Sequence, residues 1–143
     1  YLIEYNVRMG DPETESVVMR LQGDFAAACA ALKNRSLEKM DLTVNSKHSV
    51  TVVTVAGGYP ESYEKGYEIK GLDRVQNATV FHMGTTGDQQ IKTAGGRVLA
   101  ISAMASTAEK AREKAYGELS RISFRDMYYR KDIGEDLMNM QTP

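Results

Sequence analysis

The 143-residue chain has no tryptophan, one cysteine, three prolines and no long apolar run. A single cysteine excludes an internal disulfide and fits a reducing compartment, so a cytoplasmic location is expected. No stretch is apolar enough to span a bilayer, and no secretory signal opens the chain. Asn34-Arg35-Ser36 and Asn77-Ala78-Thr79 match the glycosylation pattern, but without such a signal both are read as chance. An excess of one charge is missing too. The 18 Lys and Arg against 19 Asp and Glu leave −1, so neither nucleic acid nor an anionic membrane is expected as a partner. The histidines, His48 and His82, have no cysteine or second histidine near them, which argues against zinc. What is present is 42% hydrophobic content, enough for one ordinary domain or a small domain plus part of another.

The most informative stretch is the first dozen residues. Leu2 to Arg8 alternate with period two and read as a β-strand, with Ile3, Tyr5 and Val7 on one face. Glu4, Asn6 and Arg8 share the other face, about 6.6 Å apart per step at roughly 3.3 Å rise per residue. A carboxylate beside an amide carbonyl offers hard oxygen ligands, the kind Mg²⁺ takes when it also holds phosphates. The strand breaks at Gly10, where a helix begins. Asp11 suits its N-cap, Pro12 its first position, and Glu13 and Glu15 its positive dipole end. The chain opens at Tyr1 inside this strand, without an initiator methionine, and is expected to be a piece of something longer.

Residues 12 to 33 read as helix, with Val17, Val18, Leu21, Phe25, Ala28, Cys29 and Leu32 near helical spacing. Gly23-Asp24 marks a kink or a junction of two helices, and Cys29 reads as a small core residue. A domain boundary is expected near residue 41. Ser49 to Ala56, rich in Val and Thr, predicts a central strand, ended by the turn Gly57-Gly58-Tyr59-Pro60. Further strands are predicted at Thr79–Met83 and Gly96–Ala103, with a hairpin at 85–93 and a loop with an edge strand over 61–71. Val98, Ala100 and Ser102 alternate there against Leu99, Ile101 and Ala103. Thr107 to Ile122 predicts the clearest helix, capped by Thr107, and the tail after Gly134 is expected to fray. The order of elements is that of an α+β chain with a small antiparallel sheet.

Glu4-Tyr5-Asn6 followed by Arg8-Met9-Gly10-Asp11-Pro12-Glu13 resembles the phosphoribosylamine–glycine ligase (glycinamide ribonucleotide synthetase) family. The likeness continues through Gly57-Gly58-Tyr59-Pro60, Phe81-His82-Met83-Gly84-Thr85, Gly95-Gly96-Arg97-Val98-Leu99 and Tyr128-Tyr129-Arg130. It implies residues 1–40 as the end of an ATP-grasp domain, a strand plus a helix. Residues 41–143 would then be a small antiparallel barrel-sandwich-like domain with a C-terminal helix. The implied activity is ATP-dependent joining of glycine to 5-phosphoribosylamine in purine synthesis, through a glycyl phosphate.

Glu4 and Asn6 would be ligands of Mg²⁺ or Mn²⁺, Arg8 the catalytic electrostatic stabiliser, and Asp11 a substrate contact. ATP would be the co-substrate. Without that likeness, Glu4 and Asn6 read as a solvated strand face, Arg8 as a surface charge and Asp11 as a helix cap. The glycine pairs read as strand turns. Two other functions stay open: a different ATP-grasp carboxylate–amine ligase, and a non-catalytic binding or assembly module. The fragment alone is expected to be inactive, and the Leu2–Arg8 strand to be an unprotected edge that invites self-association.

Overall fold

Valine and threonine in one stretch and an alanine-rich apolar run in another make the two long strands that carry the fold. The computed structural model describes residues 1–5 and 7–136. In chain order the helices and strands are α1 (Glu13–Val18), β1 (Leu21–Gln22), α2 (Phe25–Lys33), β2 (Thr43–Val44), β3 (His48–Val55), β4 (Thr79–His82), β5 (Thr85–Thr86), β6 (Lys92–Thr93), β7 (Arg97–Ala105) and α3 (Ala108–Leu119). Short 3₁₀ turns lie at Leu37–Lys39 and Leu72–Arg74. The main sheet has the order β3-β7-β4, all antiparallel, and two-stranded ribbons pair β1 with β2 and β5 with β6.

The two faces of the main sheet are buried differently. Val52, Leu99, Ile101 and Ala103 belong to the core cluster with Ala115 and Leu119 of α3, and half-buried Val50 packs against it. Ala111, Ala115 and Leu119 recur every fourth residue, so α3 offers the sheet one apolar stripe while Lys110 and Lys114 stay outside. Thr107 caps the helix as predicted, its hydroxyl accepting from the Lys110 N–H at 3.2 Å. Thr51 and Ser102 lie on the opposite face, toward α1. Their hydroxyls meet at 2.7 Å, and Ser16 of α1 meets Thr51 at 2.6 Å.

Several expectations change. Among the described residues 1–9 there is no strand. Leu2–Tyr5, Val7 and Arg8 are exposed, and no strand among the described residues takes up their backbone groups. Of the kink and the junction of two helices that Gly23-Asp24 left open, the structure has the junction, with the short β1 unexpected before it: Gly23 adopts φ +113° tight against the Asp41 carbonyl, and Asp24 caps α2 by accepting from Ala27 N–H at 2.8 Å. Cys29 is exposed rather than in the core, because only Ala28 and Ala31 of α2 are buried. The Ser49–Ala56 strand lies at the edge of the sheet and β7 takes the centre, covered on both sides and nearly all buried. The sheets are small and separate, so no closed barrel forms among the described residues. The α+β class stands. The fraying expected beyond Gly134 falls mostly on residues outside those described.

Candidate functional site

The Arg8–Glu13 turn is held by its own backbone and by one long-range ion pair. Gly10 N–H donates to a Glu13 carboxylate oxygen at 2.9 Å, and the Thr14 hydroxyl donates to the Gly10 carbonyl at 2.6 Å. Glu13 thus reaches back to the backbone that precedes α1. The helix begins at Glu13, Pro12 occupies the N-cap, and no side chain caps it, so Asp11 is not a cap. Its Oδ2 instead meets Arg97 Nη2 at 3.0 Å. The cap position had passed to Pro12, and a guanidinium across the fold is the stronger partner for the freed carboxylate.

Arg97 reaches Asp11 because β7 contains an extra residue. Thr54 pairs with Leu99 but Val55 pairs with Arg97, so Val98 is a bulge. The Val98 carbonyl accepts from both Met83 and Gly84 N–H at 3.1 Å, and the Thr54 hydroxyl lies 3.2 Å from the Leu99 N–H. Just before the bulge, the chains pack too closely for side chains. A Cβ on Gly96 would overlap the Tyr59 ring, and one on Gly84 would stand 2.7 Å from the Gly95 Cα. The Ala56 N–H donates to the Gly96 carbonyl at 2.8 Å, and Val55 exchanges both backbone hydrogen bonds with Tyr128. Five short motifs, scattered over 120 residues of sequence, therefore meet around the β7 N-terminus.

Between them lies an open cavity of about 240 Å³, floored by the Thr51, Val53 and Val55 side of β3 and rimmed by Pro12, Tyr59 and Arg97. Arg130 also borders it but is committed to Asp132, with hydrogen bonds of 2.9 and 2.6 Å. Those bonds hold the Asp132 carboxyl below the usual carboxylate range. Away from the cavity, buried Glu118 accepts from Gln76 N–H at 2.9 Å and from the Asn77 amide at 3.0 Å, and pairs with Arg121 at 3.2 Å. The Gln76 bond, then the Asn77 bond, lower its pKa against the opposing effect of burial. Glu118 is a structural staple for the loop before β4.

The sequence-predicted site residues do not all come together. Arg8, Gly10 and Glu13 border one open polar concavity, and Asp11 joins Arg97 on the cavity rim. Glu4 stands exposed on an extended segment, and Asn6 lies outside the described residues. Among the described residues no three His, Cys, Asp or Glu side chains converge as a metal site. An exposed carboxylate fits a cation that keeps waters and substrate phosphates as its other ligands. His82 is occupied by the Thr85 hydroxyl at 2.9 Å.

Arg97 is the residue that sequence reasoning passed over. Its signal was there: Arg97 has the same parity as Leu99, Ile101 and Ala103, a charge where an unbroken strand would point it into the core.

The family description "Phosphoribosylglycinamide synthetase, C domain" matches residues 49–136. The phosphoribosylamine–glycine ligase of Caldanaerobacter subterraneus subsp. tengcongensis is 43% identical over 133 residues, which cover 92% of this chain and 32% of that protein. The bifunctional purine biosynthetic protein PUR2,5 of Pichia angusta is 46% identical over 135 residues, 92% of this chain and 17% of its own length. The crystal structure of the Thermotoga maritima phosphoribosylamine–glycine ligase superposes with a TM-score of 0.73 at 33% identity, over 94% of this chain and 33% of that one. The chain thus spans about a third of the length of the single-function ligases it matches.

Proposed function

The chain belongs to the phosphoribosylglycinamide synthetase C-domain family, and from that premise we propose that it is part of a cytoplasmic, ATP-dependent ligase that joins glycine to 5-phosphoribosylamine. Residues 1–40 would close the ATP-grasp domain and residues 41–143 would form the domain that follows it. The similarity over nearly the whole chain to ligases of that name carries this reading. The motif convergence around β7 supports it, because residues far apart in sequence gather at one cavity rather than along a surface.

In this reading the glycine carboxylate takes the γ-phosphoryl group of ATP to form glycyl phosphate and ADP. The 5-phosphoribosylamine nitrogen then attacks the acyl carbon, loses a proton and expels phosphate, leaving glycinamide ribonucleotide. Glu4 and Asn6 would hold Mg²⁺ or Mn²⁺, which when bound neutralises the terminal phosphates of ATP. Arg8 supplies a planar pair of donors to the oxygens of the transferring phosphoryl group, where negative charge develops. Asp11, half-exposed and paired with Arg97 through Oδ2, orients the glycine ammonium with its carboxylate.

The adenine pocket and most of the phosphoribosyl site belong to the other two thirds of such an enzyme, so the 143-residue chain alone is expected to be silent. The test is product analysis on the full-length protein supplied with ATP, 5-phosphoribosylamine and, in turn, glycine, alanine, β-alanine and aspartate. Glycinamide ribonucleotide formed with glycine alone is the expected result. A preference for another carboxylate would replace this reading with that of a different carboxylate–amine ligase.

A further inference from the structure

We propose that Arg97 is a positioning residue of the ligase site: it fixes the Asp11 carboxylate against the glycine ammonium. The inference rests on the function proposed above and adds to it a residue from the other end of the chain. In a regular strand Arg97 would share the face of Leu99, Ile101 and Ala103 and enter the core under α3. The Val98 bulge turns it to the opposite face, where Val55, Val53 and Thr51 border the cavity. A one-residue slip is enough to change faces, and bulges commonly re-aim a side chain in this way.

The surrounding chain holds that bulge in place. Met83 and Gly84 N–H groups converge on the Val98 carbonyl, Thr54 binds Leu99, and Gly96 lies beneath the Tyr59 ring. All of this directs one guanidinium to one carboxylate at 3.0 Å.

Stability does not account for the arrangement. The Arg97 and Asp11 side chains are 43% and 42% exposed, and an ion pair so open to water contributes little to folding. Asp11 is also not held by capping, since Pro12 occupies the N-cap of α1 and no side chain caps that helix. Removing Arg97 would have two opposed effects on glycine. Loss of the counter-charge would strengthen the pull of Asp11 on an ammonium, by about fivefold in water. Loss of orientation would weaken binding more, because a freed carboxylate must be ordered again whenever glycine binds and no longer starts at hydrogen-bond distance from the ammonium. Orientation therefore decides the sign.

The experiment uses the full-length enzyme with Arg97→Ala, Arg97→Lys, Asp11→Asn and the Arg97→Ala/Asp11→Asn double variant. Arg97→Ala and Asp11→Asn should each raise the KM for glycine about tenfold or more, with kcat and the KM for ATP changed by less than about threefold. The double variant should be no worse than the worse single one, since both remove the same interaction. Arg97→Lys should recover part of the loss, and the Tm of Arg97→Ala should stay within about 2 °C of the parent. Amide hydrogen exchange, which needs no activity, should speed up at Gly10 and Thr14 in Arg97→Ala. An unchanged or lowered KM for glycine, or fully additive effects, would overturn the proposal. If the parent shows no glycine-dependent turnover, the functional reading falls. Exchange then decides the positioning role by itself: rates at Gly10 and Thr14 unaltered by Arg97→Ala would overturn it.

Discussion

Glu118 shows what a buried charge does in this fold when it has enough partners. It is 4% exposed, yet two donors from the 76–77 loop and the Arg121 guanidinium satisfy it. Replacement by Gln keeps the shape but turns one of the carboxylate's acceptor sites into a donor facing donors. The expected loss is about 1–3 kcal/mol in urea unfolding at pH 7. The pH dependence follows from the lowered pKa. The folded chain holds Glu118 ionised below its ordinary value, so its contribution is complete above about pH 4.3, where the unfolded group titrates. It is then lost as the pH falls further. The parent should therefore lose stability faster than Glu118→Gln on acidification below about pH 4.3; parallel curves would remove Glu118 from the account.

At the scale of elements, α2 and α3 contrast in a way that periodicity alone does not reveal. Both carry apolar residues at helical spacing. Leu119 of α3 is fully buried, whereas Leu32 and Phe25 of α2 are 60% and 51% exposed. Leu119→Ala should cost about 2–5 kcal/mol through lost transfer energy and a cavity. Leu32→Ala in the 143-residue chain should stay within about 0.5 kcal/mol, as exposed substitutions do. Chemical denaturation of the two variants checks the contrast, and equal losses would contradict it.

The legibility of the elements divides along the same line. β3, β4, β7 and α3 could be read from the sequence because their patterns are long and their caps and turns are local chemistry. Between α1 and α2 the break at Gly23-Asp24 was legible, as a kink or a junction, but β1 was not. The positive φ at Gly23 and the Asp24 cap make the break, and β1 forms only because β2, some twenty residues later, pairs with it. Cys29 was misplaced for a related reason: a stripe predicts an apolar face, but a neighbour must be present to bury it.

At the scale of the whole molecule, the chain is a platform on which five motifs meet. Those motifs could be quoted from the sequence, but their meeting point could not, because it depends on the bulge at Val98 and on close glycine contacts. Asp11 was legible as a special residue, though for the wrong local reason: its partner is Arg97 rather than the first turn of α1. The Leu2–Arg8 segment was read as a strand; no strand pairs with it among the described residues, and Glu4 and Arg8 are exposed. In the proposed function this segment faces the reacting phosphates.

The most direct measurement of that claim is the rate of glycinamide ribonucleotide formation by the full-length enzyme with Glu4→Gln, at saturating ATP and glycine and over a range of Mg²⁺ concentrations. Gln keeps the size and polarity of the side chain but removes the charge that a hard cation requires. The account predicts a fall in turnover of about a hundredfold or more with an unchanged Tm, as expected when stabilisation of charge in the transition state is lost. Near-parental turnover with the same Mg²⁺ dependence would contradict it and remove this segment from the metal site.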